Sequence, residues 1–129
     1  MYEEKTILVT LFIFILVQTN NVYSAKQINE NVSNEKIQAS IYKDSILVLL
    51  YPYMTQAVTD YYGVPRQFDL TDAKILSITK PNKEVTEYYI IVQVETFTGA
   101  HNPPRGIETI TISTSPVETK IINYKHISE

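Results

Sequence analysis

Two periodicities divide the chain. From Asp44 onward, Ile46, Leu49, Leu50, Tyr53, Met54, Ala57, Val58 and Tyr61 recur at helical spacing, which gathers them on one face of a 3.6-residue period. That face predicts a helix packed on something apolar. Asp44 reads as its N-cap, Gly63 as the left-handed residue that closes it, and Pro65 as the block to continuation. Pro52 sits inside. It brings no amide hydrogen and crowds the carbonyl of Val48, so a kink or a split is expected there.

After "YYGVPRQ" the period changes to two. The stretches 73–79, 86–97, 107–115 and 117–127 are rich in Ile, Val, Thr and Tyr, and "KPNKE", "TGAHNPPRG" and Pro116 separate them. Four successive strands predict an antiparallel meander. In the second, Tyr88, Ile90, Val92, Val94 and Thr96 form the set expected to face the helix, joined by Ile110 and Ile112 from the third. The fold class expected is α+β: one long kinked helix packed against a curved antiparallel sheet of about four strands, in a cystatin-like or NTF2-like arrangement.

The amino-terminal region follows neither period. Ile7 to Val17 is an apolar run too short to span a bilayer and of the length of a signal-peptide core. Ser24 and Ala25 supply small residues for cleavage, so the mature chain is expected to begin at Ala25 or Lys26. Glu3 and Glu4 outweigh Lys5 where such signals are usually positive, which keeps an uncleaved anchor as the alternative. The organisation expected is a signal peptide over 1–25, a polar lead-in over 26–43 read as frayed or weakly helical, and a single α+β domain over 44–129. The location expected is secreted or extracytoplasmic, with no stable membrane span once the signal is removed.

Composition narrows the chemistry. Eleven Lys and Arg against 14 Asp and Glu give a formal charge of −3, with no basic block of the kind that holds nucleic acid. The chain has no cysteine, which excludes disulfides, thiolate zinc sites, iron–sulfur clusters and a cysteine nucleophile. Its two histidines, His101 and His126, have no carboxylate at a metal-site spacing, so no metal and no cofactor is expected. Asp60, Asp69 and Asp72 read as solvated or capping residues. The tyrosines at 51, 53, 61, 62, 88 and 89 read as core packing with hydroxyls at its rim, or as the lining of a ligand cleft.

"SILVLLYPYMTQAVTDYYG" followed by strands and "TFTGAHNPPRGIETIT" resembles a small exported domain of Bacillus-type Gram-positive bacteria known only as a domain of unknown function. The resemblance spans about residues 44–115 and rests on Pro52, on Tyr61 to Gly63, on Gly99 to Pro104, and on Gly106. It implies an extracytoplasmic location and supplies no catalytic residues.

The segment from Gly99 to Gly106 holds the remaining chemistry. Asn102 before a proline is held extended, Pro103 and Pro104 have fixed φ, and Gly106 is free to take the positive φ of a turn. A connection of about nine residues is expected, longer than ordinary hairpin loops. Three readings remain open: a structural plug that buries Ala100, His101 and Pro103; a stiff binding loop; and general-base chemistry by His101. The function expected is a non-enzymatic module that binds a protein, a peptide or a cell-envelope component through His101, Asn102, Pro103, Pro104 and Arg105. The alternative is a small hydrolase-like or lyase-like enzyme with an NTF2-like pocket, in which His101 works with Asp60, Glu95 or Glu108.

Overall fold

The computed structural model describes residues 2–128, with side chains described for 30–128. Helix α1 spans Tyr2–Tyr62, and five strands follow: β1 Gln67–Phe68, β2 Lys74–Thr79, β3 Tyr88–Thr98, β4 Asn102–Thr114 and β5 Thr119–Ser128. The chain divides into two compact units, Met1–Ile41 and Tyr42–Glu129. The signal peptide read over 1–25 and its cleavage point lie outside the residues with described side chains. Among the described residues no helix is long and apolar enough to cross a membrane.

The stretch read as a polar lead-in, 26–43, is helical throughout, and Asp44 lies inside the helix rather than capping it. The reason lies in what the chain lacks. No proline precedes Pro52 and no glycine precedes Gly63, so nothing ends the helix before Tyr62. Gly63 ends it as expected, with φ 71° and an amide that donates to the carbonyl of Thr59 at 2.8 Å. That single bond is the left-handed form of helix closure.

Pro52 does not split α1. Five residues after Leu47 and two before Met54, it falls on the side of the helix opposite those buried residues and is exposed, so its missing amide hydrogen costs the packed face nothing. The buried face also differs from the expected one. Leu47, Leu50, Met54, Ala57 and Val58 are buried, whereas Leu49 is 73% exposed and Tyr61 is 50% exposed. "ILVLL" is apolar all the way round, so its sequence allows two overlapping stripes. The sheet selects the one through Leu47, about 200° of helix rotation from Leu49.

In the second unit α1 packs on one face of an open, curved antiparallel sheet of five strands. β2, β3, β4 and β5 form the expected meander, and β1, too short to read in the sequence, adds to β3 beside β2. Ile90, Val92, Val94 and Thr96 of β3 and Ile110 and Ile112 of β4 face the helix and are buried. At about 25 cal/mol per Å² of apolar surface, each large side chain in this layer contributes about 2–3 kcal/mol. A register shift between Thr111 and Ile112 places Ile122 in a bulge of β5. The bulge resets the alternation. Ile121 and Tyr124, three positions apart, therefore both pack on the core, and Tyr124, His126 and Ser128 continue along the helix-facing side opposite Ile110, Glu108 and Gly106.

Candidate functional site

The first candidate is the end of the β3–β4 hairpin. The nine-residue loop expected from the sequence is a three-residue turn, Gly99 to His101, closed by the pair Thr98–Asn102. Pro103, Pro104 and Arg105 lie in β4 as a bulge opposite the single residue Phe97. A bulge is where a strand accommodates residues without amide donors. The Pro103–Pro104 peptide bond is cis. Gly106 is not a turn residue. The positive φ values belong to Gly99, at 56°, and to His101, at 61°.

The plug reading does not survive this geometry. Ala100, His101 and Pro103 are all exposed. The tip is nevertheless held at many points. Arg66 Nη2 donates to the carbonyl of Pro104 at 2.6 Å, and Arg105 donates to Glu95 Oε1 at 2.8 Å and to the carbonyl of His101 at 3.1 Å. The Thr98 hydroxyl lies within hydrogen-bond distance of the carbonyls of Asn102 and Pro103. The imidazole of His101 stacks on Phe97 with 4.0 Å between ring centres, and its Nε2 lies 3.4 Å from Asp69 Oδ2. With both side chains about half exposed, that pair contributes at most about 1 kcal/mol.

His101 thus faces a different carboxylate from those considered for it. Asp60 accepts from Gln56, Glu95 holds Arg105, and Glu108 lies with His126. Asp69, read as a cap or a solvated residue, is its neighbour. His101, Asp69, Tyr51, Phe68 and Phe97 line an open groove of about 420 Å³ at the hairpin end.

The second candidate is one the sequence reading missed. Glu108, on the helix-facing side of β4, is completely buried. Its Oε1 accepts from the Tyr62 hydroxyl at 2.6 Å and the Thr96 hydroxyl at 3.0 Å; its Oε2 accepts from the Tyr124 hydroxyl at 2.7 Å. His126 Nδ1 lies 3.0 Å from Oε1 and 3.1 Å from Oε2. Burial alone would raise the carboxyl pKa, but hydrogen bonds from Tyr62, Tyr124, His126 and Thr96 outweigh it and hold Glu108 below its ordinary value. Burial first and the hydrogen bond to Glu108 second raise both Tyr62 and Tyr124, so the phenols stay donors and Glu108 stays a carboxylate.

That carboxylate fixes the histidine. An ionised Glu108 only accepts, so Nδ1 carries a proton. In the neutral imidazole Nε2 is then the acceptor, and it faces Ser128 Oγ at 3.0 Å. Tyr61 covers the cluster from the helix, its ring 4.9 Å from those of both Tyr124 and His126. Arg66 lies over the face of Tyr62 at 4.1 Å, which links the cluster to the hairpin end.

A trace of this cluster was present in the sequence. Along "GIETITI" the inward positions are Gly106, Glu108, Ile110 and Ile112, so a carboxylate interrupts an apolar row. Along "YKHIS" one face carries Tyr, His and Ser. What the sequence hid was the bulge at Ile122 that brings the second row opposite the first. Among the described residues no group of three or more His, Cys, Asp or Glu is arranged to hold a metal ion.

A family model described as "Protein of unknown function (DUF3888)" matches residues 42–128. No curated protein and no solved structure matches the chain.

Proposed function

We propose a role for this chain, which belongs to the DUF3888 family of proteins of unknown function, as an exported module that binds a protein, a peptide or a cell-envelope component through its hairpin end. His101, Asn102, Pro103, Pro104 and Arg105 form the contact surface. One observation carries the reading: His101, a non-glycine residue, is held at φ 61° with its side chain 58% exposed. Left-handed backbone costs a residue with a Cβ about 1–2 kcal/mol, and such strain persists where the surroundings fix it, often at binding sites. Here the pins from Arg66, Arg105 and Thr98 fix it, so a ligand meets a tip that is already ordered.

Export fits the apolar run from Ile7 to Val17, and we assign the chain an origin in Bacillus-type Gram-positive bacteria on the resemblance of its motifs. In this reading the tip acts by contact, without chemistry at His101. The test is binding of purified protein to isolated envelope fractions and to intact cells. Replacing residues 99–105 by an Asn-Gly turn is expected to abolish binding while the thermal midpoint stays within a few degrees. Undiminished binding by that variant overturns the reading. Export is checked separately: protein recovered from the culture medium is expected to have an intact mass that begins at Ala25 or Lys26.

A further inference from the structure

We propose that Ser128, His126 and Glu108 form a nucleophile, a general base and an orienting carboxylate that hydrolyse small carboxylic esters. The proposal is independent of the hairpin reading. Ser128 Oγ lies 3.0 Å from His126 Nε2, and His126 Nδ1 lies 3.0 Å from Glu108 Oε1. This is the order of contacts an activated serine requires: the nucleophile bonded to the base, and the base oriented by a third group. Exposure is graded the same way, with Ser128 open to solvent, the His126 side chain 18% exposed and Glu108 fully buried.

Three features build the arrangement. Strand alternation places His126 and Ser128 on one face, two positions apart. The pairing Glu108–His126 and Gly106–Ser128 sets the carboxylate beside the imidazole. The Tyr62, Tyr124 and Thr96 hydroxyls then keep Glu108 ionised and still. Stability gives little reason for such a cluster, since an apolar group of the same volume commonly serves a core as well as a buried ionic network. A buried carboxylate that fixes one tautomer of a partly exposed histidine has a use when the free nitrogen receives a proton.

In the reaction, Ser128 Oγ attacks the carbonyl carbon of the ester and its proton passes to Nε2. The bond to the alcohol oxygen breaks, and the imidazolium returns the proton to the departing alkoxide. A solvent water gives a proton to Nε2 as it attacks the acyl-serine; the carboxylic acid leaves, and Ser128 Oγ regains its hydrogen from the imidazolium. Ser128 and His126 are the catalytic residues. Glu108, Tyr62 and Tyr124 are positioning residues.

The experiment exposes full-length protein to an alkyl fluorophosphonate: the Oγ–P bond forms, fluoride leaves and the proton goes to Nε2. The expected result is one adduct, mapped by peptide mass spectrometry to Ser128 and absent in Ser128→Ala, a change at an exposed position that is expected to leave the fold intact. His126→Gln is expected to slow labelling roughly 100-fold, and p-nitrophenyl acetate hydrolysis to fall in parallel. Tyr124→Phe removes one donor from Glu108 and is expected to lower kinact several-fold at unchanged KI, which a merely structural role would not do. Wild-type protein that stays folded by circular dichroism and unlabelled at millimolar probe overturns the proposal. So does a Ser128 adduct that forms equally fast in His126→Gln.

Discussion

Gly106 has no side chain because there is no room for one. A Cβ there would lie 2.5 Å from Glu108 Oε1, 2.6 Å from the Tyr62 hydroxyl and 2.7 Å from His126 Cε1. Those atoms are locked in one hydrogen-bonded cluster, so none can yield without breaking a bond to another. Gly106→Ala is therefore expected to cost about 3 kcal/mol, through overpacking and a disturbed buried network, measurable by denaturant titration. Titration of the same cluster gives a second prediction. Glu108 is held below 4.5 in the folded state, so its contribution is present above pH 4.5 and is lost as the pH falls through the lowered value. Tyr62 and Tyr124 are held above 10.0, so their contribution is complete below pH 10 and is lost as the pH rises beyond it. Thermal melts across pH are expected to show a plateau between these limits. Glu108→Gln should flatten the acid side and lower the plateau, because the substituted amide cannot accept all four donors.

At the scale of elements, the exposed leucine and the buried one separate packing from periodicity. Leu47→Ala empties a site under the sheet and is expected to cost about 2–5 kcal/mol. Leu49→Ala, at a residue that is 73% exposed, should change stability by less than about 0.5 kcal/mol. Equal losses would mean that the helix presents the other stripe. The hairpin supports a parallel contrast. His101→Gly relieves the left-handed strain and is expected to hold or raise stability by about 1 kcal/mol, while the binding proposed for the tip weakens because the imidazole is gone. The expected nine-residue loop became a three-residue turn because the prolines, which argue against a strand when read alone, fit a strand that bulges away from its partner at that point.

For the molecule as a whole, three boundaries coincide. The family match begins at residue 42, the compact unit begins at Tyr42, and among the residues with described side chains every buried core residue lies from Leu47 onward. A chain that starts at Tyr42 is thus expected to fold alone, with a cooperative melt and the circular dichroism of one helix on a sheet. A non-cooperative melt for that chain would show that the core depends on residues before it.

What the sequence determined by itself is whatever rests on local chemistry. Alternation along β3 and β4 set the inward rows, Gly63 set the end of α1, and the missing cysteines removed whole classes of site. These are consequences of backbone geometry and residue type, and both act within a few positions along the chain. Tertiary structure decided what depends on partners far apart in the chain. The sheet chose between two apolar stripes of the helix, since "ILVLL" satisfies either one. The bulge at Ile122 set Tyr124, His126 and Ser128 against the row that holds Glu108, and the end of α1 delivered Tyr62 to the same carboxylate from 46 positions away. A hydrogen-bonded cluster of that kind has no periodicity of its own, because each member is inconspicuous in its own segment until register and packing bring the segments together.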